Sequence, residues 1–111
     1  MELTFKDRLV FGSLYPAKGS ILIQTIVSDI QDKVSLSQDD MVKANLRLEN
    51  KQYKWDTTKV KPIEVEFTHA ELNFLKERVQ ELDKKEEVEF DCLALFKKIQ
   101  TEPLKKKKVK K

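Results

Sequence analysis

The apolar residues of this chain recur with a helical period near both ends and with a period of two in the middle, which limits the folds open to it. Apolar residues spaced three or four apart predict one face of a helix that starts at Ser20: Ile23, Ile26, Val27, Ile30 and Val34. Between Leu46 and Phe67 the apolar residues alternate with charged and polar ones, as in short strands with one buried face. The sequence therefore predicts a mainly helical α+β fold with about five helices and a two- or three-stranded antiparallel sheet.

A helix-start signal occurs three times along the chain. A hydroxyl residue precedes an acid by three positions in each case: Thr4 with Asp7, Ser37 with Asp40, and Thr68 with Glu71. In such a capping box the hydroxyl and the carboxylate each accept a hydrogen bond from the other residue's backbone N–H. Together with the apolar spacing, these signals predict five helices. The second starts at residue 20, and the others cover residues 4–15, 38–45, 68–84 including the Thr68 cap, and 89–101.

Asn50 and Lys51 are predicted to form the turn of a hairpin that carries Tyr53 and Trp55 on one face. Trp55 is expected to be a core residue, whereas Tyr53 is suited either to the core or to stacking on a base. Three helices followed by a hairpin also allow a winged-helix topology. Asp39 and Asp40 at the start of the third helix would be repelled by phosphates, so this helix is not expected to read DNA.

No pattern of catalytic or metal-binding residues is found. The single histidine, His69, is predicted to be exposed at a helix start, and the single cysteine, Cys92, to be a small buried apolar residue. Neither has a partner at the spacing of a metal site or a nucleophile, and no Gly-rich phosphate loop exists. We therefore expect a protein that is not an enzyme, has no cofactor or metal, and lies in the cytoplasm without a membrane span.

Residues 104–111, L-K-K-K-K-V-K-K, hold six of the 22 Lys and Arg residues, which leaves 16 bases against 19 acids in the rest of the chain. We predict one α+β domain over 1–102 and a disordered lysine-rich tail over 103–111. The tail would bind nucleic acid without sequence preference, or an acidic partner, through Lys105, Lys106, Lys107, Lys108, Lys110 and Lys111. On the hairpin, Lys51, Tyr53 and Lys54 are candidates for the same contacts. The tail's composition also fits a nuclear import signal or a segment that only aids solubility.

Three phrases, L-T-F-K-D-R-L-V-F-G-S-L-Y-P, Y-K-W and I-E-V-E-F-T-H-A-E-L-N-F-L-K-E, resemble small proteins encoded by bacteriophages and prophages. The positions that match are Arg8, Leu9, Pro16, Trp55 and Glu71. The resemblance covers about residues 3–99 and implies an accessory or virion-associated role, in the host cytoplasm or the virion, without implying an activity.

The leading hypothesis is a small non-enzymatic phage-type protein that binds another protein, as a virion or assembly component or as a modulator of a host factor. Arg8 and Tyr53 are its predicted protein contacts. The alternative is a nucleic-acid-associated protein that binds through the basic tail.

Overall fold

The computed structural model describes residues 1–56 and 60–104, and it confirms the mainly helical α+β class. The described residues form five α-helices: α1 (Phe5–Val10), α2 (Ile21–Val34), α3 (Gln38–Lys43), α4 (His69–Lys84) and α5 (Leu93–Thr101). The strands of the described part are β1 (Glu2–Leu3), β2 (Arg47–Glu49), β3 (Gln52–Lys54) and β4 (Ile63–Glu64). A 3₁₀ turn over Phe11–Leu14 follows α1, and another over Phe90–Cys92 precedes α5.

All three predicted capping boxes form. The hydroxyl of each cap accepts a hydrogen bond from the backbone N–H of its acid, and each acid accepts one in return from the cap: Thr4 with Asp7, Ser37 with Asp40, and Thr68 with Glu71. The second helix starts at Ser20 as predicted, and the Ser20 hydroxyl caps it by accepting from the Ile23 backbone N–H at 3.1 Å. The signals that lie within four residues of one another were therefore sufficient to place these helix starts.

The ends of the helices differ from the prediction in three places, the smallest being that α3 ends at Lys43 rather than at residue 45. The first predicted helix changes from α to 3₁₀ geometry after Val10, although Phe11 and Leu14 remain fully buried. The last begins at Leu93 rather than at residue 89, because Phe90–Cys92 is a 3₁₀ turn. Phe90, which lies within the predicted span of that helix, is 85% exposed.

The strands form two separate antiparallel pairs instead of one sheet. β2 pairs with β3, whereas β4 pairs with β1 at the amino end, where Leu3 lies opposite Ile63. The amino group of Met1 extends this second pair by donating to the Val65 carbonyl at 2.9 Å. A strand of two residues is too short to show a period of two, so β1 left no alternating pattern in the sequence.

The β2–β3 hairpin has the predicted turn but lacks the predicted buried face. Asn50 and Lys51 are left-handed, with φ of 52° and 65°, as a two-residue hairpin turn requires. Leu48 and Tyr53 lie directly opposite each other and are 64% and 58% exposed. Only the base of the hairpin packs on the body, where the Trp55 ring lies 5.7 Å from that of Phe5. The predicted core position of Trp55 is thus half-buried.

One core joins the helices and the β1–β4 pair. It is built from the buried faces of all the longer helices, and its fully enclosed members include Leu3, Phe11, Leu14, Ile30, Leu75, Leu95 and Ile99. Cys92 belongs to this core at 4% exposure, as its apolar neighbours predict. His69 is exposed at the first position of α4, also as predicted.

Each capping-box acid also binds a cation from a different helix. Lys98 of α5 binds Asp7, Arg8 of α1 binds Asp40, and Lys33 of α2 binds Glu71. The same cations donate to backbone carbonyls beside these acids, as Lys98 does to Glu2 and Lys33 to Glu66. Asp7 and Glu71 are 4% and 5% exposed, so two of these ion pairs are anchored in the interior. The helix starts are therefore also the points at which helices are fixed to one another.

Candidate functional site

The hairpin presents an unpartnered apolar face beside the helical body. Side chains alternate across a strand, so Leu46, Leu48, Tyr53 and Trp55 share one face of the β2–β3 hairpin. At the base of this face Leu46 and Trp55 are half-buried, and at its tip Leu48 and Tyr53 are exposed. A directly opposed Leu–Tyr pair is the kind of cross-strand pair that stabilises a hairpin, and here it also faces solvent.

A groove of about 720 Å³ separates this face from α1 and α3. We call it the hairpin groove; it is lined by Lys6, Leu9, Val10, Met41, Leu46, Lys51, Gln52, Tyr53, Trp55 and Asp91. Its walls are mostly apolar, and its charged groups lie at the edges. Lys6 and Asp91 approach to 3.7 Å across one end, with both side chains largely exposed. The groove thus combines an apolar floor with a polar rim, as protein-contact surfaces do.

The base of the hairpin is held in place by contacts on both strands. The backbone N–H of Leu46 donates to the Met41 carbonyl at 3.0 Å, and that of Asp56 donates to the Ala44 carbonyl at 2.7 Å. The Trp55 ring packs on Phe5, which is itself 4% exposed. These contacts fix the groove between α1 and the hairpin in the absence of any partner.

Two of the predicted hairpin contacts lie in the groove and one does not. Lys51 and Tyr53 both line it, whereas Lys54 lies opposite Arg47 on the other face of the hairpin. All three side chains are exposed. The structure therefore brings Tyr53 together with Lys51 and Lys6, a cation that the sequence had not associated with it.

Arg8, a predicted protein contact, is used inside the molecule. Its Nε donates to the Val34 carbonyl at 3.0 Å and its Nη2 to the Ser35 carbonyl at 2.7 Å, so it caps the carboxyl end of α2. Nη2 also lies 3.2 Å from Oδ2 of Asp40, and the arginine side chain is only 7% exposed. Desolvation would raise the pKa of Asp40, but the hydrogen bonds of Ser37 and the charge of Arg8 outweigh it and lower that pKa. Arg8 therefore offers a partner little surface.

The remaining predicted contacts are the lysines of the tail, and the remaining chemical candidates are side chains that could bind a metal. Lys105, Lys106, Lys107, Lys108, Lys110 and Lys111 lie outside the described residues. Within residues 1–56 and 60–104, no three His, Cys, Asp or Glu side chains are grouped so that they could hold a metal ion. Across the same residues, no helix has the length and apolar character needed to cross a bilayer.

A smaller apolar surface lies between the carboxyl half of α4 and the start of α5. Its groove of about 370 Å³ is lined by Val79, Val88, Phe90, Leu93 and Phe96 with several charged residues. Phe90 is 85% exposed and Leu93 is 37% exposed. Its lining carries one lysine, Lys97, beside Asp83 and Glu89, and it has no opposed strand pair. This surface is the rival location for a contact.

The sequence alone did not identify Leu48 as an exposed residue or α1 as a wall of the site. The two-residue turn at Asn50 and Lys51 fixes a register in which Leu48 faces Tyr53, so that this pairing could have been read from the turn. The proximity of Lys6 and Leu9 to the hairpin depends on contacts between segments about 40 residues apart, which no local pattern encodes.

A scan against protein-family models, a search of curated proteins and a search of solved structures each return no match for this chain. Its function must therefore be argued from the geometry of its own residues.

Proposed function

We propose that this chain is a small non-enzymatic protein that acts by binding another protein through the hairpin groove. The observation that carries the proposal is the exposed, directly opposed pair of Leu48 and Tyr53 above an apolar groove that is already open. Contiguous exposed apolar surface with a polar rim marks interaction sites, and tyrosine and tryptophan are enriched among the residues that dominate binding energy. A phage-type accessory or virion role, as the sequence resemblance implies, is the setting we propose for this contact.

The rim indicates the chemistry of the partner. Lys6 and Lys51 flank the groove, with Lys54 on the outer face of the same hairpin, and Asp91 is the acid of its lining. A partner segment with one large apolar side chain between carboxylates would place the apolar group against Tyr53 and Trp55. Its acids would then approach the lysines, which favours association and orientation more than affinity.

A peptide library tests this proposal even though the partner is unidentified. We expect selection of random 12-residue peptides on the full chain to enrich sequences that carry an apolar anchor beside Asp or Glu. Binding of the enriched peptides should fall about tenfold or more in Tyr53→Ser, because a central aromatic contact is worth more than about 1.4 kcal/mol. Binding should weaken several-fold in Lys51→Glu.

Matched variants locate the binding site. Ile21→Ser removes an apolar side chain that is 88% exposed on α2, and it should leave peptide affinity unchanged. Phe90→Ser removes an exposed apolar side chain at the rival surface between α4 and α5, and it should also leave peptide affinity unchanged. Peptides whose affinity depends on Phe90 and is indifferent to Tyr53 would overturn the assignment to the hairpin groove, and so would a library that yields no specific binder.

Non-specific nucleic-acid binding is a second candidate function, favoured by the six lysines within residues 104–111. The other 103 residues carry more acids than bases, so the tail would have to supply the affinity. Replacing the six lysines by glutamine in the full chain should then abolish binding to generic duplex DNA and to RNA at low salt. If the unaltered chain ignores both nucleic acids across a salt series, this candidate is excluded and the protein-binding proposal is unaffected.

A further inference from the structure

The outer edge of β2 is an open strand edge. Among the described residues β2 pairs only with β3. Glu49 and Gln52 flank the two-residue turn, and in such a hairpin the pair beside the turn is hydrogen-bonded. Hydrogen-bonded and non-hydrogen-bonded pairs alternate along an antiparallel ladder, so the Leu48–Tyr53 pair is of the second kind. The backbone N–H and C=O of Leu48 therefore point away from β3, toward the open edge.

We propose that this edge pairs with the same edge of a second copy of the chain, antiparallel and with Leu48 opposite Leu48. In this register the two leucines exchange both backbone hydrogen bonds, and β2 of each copy becomes an inner strand of a four-stranded sheet. The edge consists of backbone groups of Arg47, Leu48 and Glu49, which do not line the hairpin groove, although the Leu48 side chain lies on the hairpin face beside it. The inference therefore does not depend on the proposed peptide contact.

Charge complementarity favours a second copy of the chain as the partner of this edge, and it favours this register. The strand reads Arg47-Leu48-Glu49, so a twofold axis at Leu48 places Arg47 of each copy opposite Glu49 of the other. The side chains of Arg47 and Glu49 are 38% and 52% exposed, and within one copy they already meet at 2.8 Å. Opposite charges across antiparallel strands stabilise the pairing, and like charges oppose it.

The flanking backbone limits the strength of the contact. Asn45 and Asn50 are both left-handed, with φ of 52°, and they bound β2 on its two sides. Pairing is thus confined to about three residues on each copy, which falls well short of a permanent dimer interface. Short charged edge strands normally resist association. Here the same charges permit one register, so we expect weak, reversible dimers at high protein concentration.

Charge reversal with mixing provides the first test. Sedimentation of the full chain from about 10 μM to about 1 mM at low salt should show reversible dimers. Arg47→Glu and Glu49→Arg should each lower the association constant about tenfold, because every dimer contains two such pairs. An equimolar mixture of the two variants should recover the original association constant, since unlike strands then present opposite charges.

The mixture separates pairing between copies from pairing within one chain. Each single variant lacks its internal Arg47–Glu49 pair, and mixing cannot restore it. Lys84→Glu changes net charge as Arg47→Glu does, but at an exposed site on α4, and it should leave association unchanged. A mixture that associates no better than its components would overturn the proposal, as would a chain that stays monomeric at about 1 mM.

A cysteine pair provides the second test. Hydrogen-bonded opposite residues have Cα atoms about 5.5 Å apart, within reach of a disulfide, so Leu48→Cys should cross-link rapidly under mild oxidation. Tyr53→Cys is equally exposed but would lie three strand spacings, about 14 Å, from its counterpart, so it should cross-link much more slowly. Equal rates for the two variants would contradict the register. Cys92 is buried, so we expect no contribution from it to cross-linking in either variant.

Discussion

The ion pair between Lys33 and Glu71 provides the sharpest test of how this small domain is held together. Oε1 of Glu71 accepts from the backbone N–H of Thr68 at 2.9 Å and from Nζ of Lys33 at 2.6 Å. The glutamate side chain is 6% exposed and that of the lysine 34%. Replacing Lys33 by methionine keeps the aliphatic stem and removes the cation, while the Thr68 backbone N–H still donates to the buried carboxylate.

The expected loss of stability follows from these exposures. A hydrogen bond to a charged group contributes about 1.5–3 kcal/mol, and losing one partner of a fully buried pair costs about 3–5 kcal/mol. Because Lys33 is one-third exposed and water can partly replace it, we expect a loss of about 2 kcal/mol for Lys33→Met. For a domain with an unfolding free energy of about 5–10 kcal/mol, this lowers the urea midpoint by about 1–2 M.

A double-mutant cycle isolates the interaction. Glu71→Gln removes the charge while keeping an acceptor for Thr68, and the double variant should recover about 1–1.5 kcal/mol relative to the sum of the single changes. The exposed pair of Lys85 and Glu81, 3.2 Å apart, is the matched control, and its coupling should vanish in 1 M salt. If the coupling of Lys33 with Glu71 is no larger than this control, or is equally sensitive to salt, the argument that buried helix-start acids lock the helices is refuted.

Further predictions concern three positions: Tyr15, Asp40 and Lys51. Tyr15 Oη is the one buried side-chain polar atom without a hydrogen-bond partner in the described part of the chain, so Tyr15→Phe should raise stability by about 1 kcal/mol in urea unfolding. Burial raises the pKa of Tyr15 to about 12, so stability should fall as the pH rises from 10 to 12, and this loss, followed by circular dichroism, should be absent in Tyr15→Phe. The lowered pKa of Asp40 contributes stability that is present above pH 4 and is lost as its carboxylate is protonated. In Asp40→Asn the urea midpoint of unfolding should therefore fall less steeply as the pH is lowered below 4. Lys51→Gly relieves a left-handed residue in the turn and should raise the melting temperature by a few degrees, whereas Lys51→Val should lower it.

The ion pairs bear on function as well as on stability. Asp7, Asp40 and Glu71 each cap a helix and bind a cation from another helix. These charged side chains therefore make contacts within the molecule. Arg8, which looked available to a partner, is among them. Of the contacts predicted within the described residues, those that remain exposed are Lys51, Tyr53 and Lys54 of the hairpin, where an exposed apolar pair and an open backbone edge also lie.

Much of the local structure was determined by short-range sequence. The capping boxes and the cap at Ser20 depend on residues within three positions of one another, so their energetics are local and the predicted starts of these helices were confirmed. The turn at Asn50 and Lys51 was predictable for the same reason. The α+β class followed from the change of hydrophobic period alone.

Only the tertiary structure decided which strands pair and which faces are covered. The pairing of β1 with β4 joins residues about 60 apart, and the hairpin, predicted to bury one face, leaves Leu48 and Tyr53 in solvent. An alternating sequence indicates that one face of a strand is apolar, but burial of that face also requires another element to pack over it. Whether another element packs there depends on the tertiary arrangement of the chain. In this protein none of the described residues covers the tip of the hairpin.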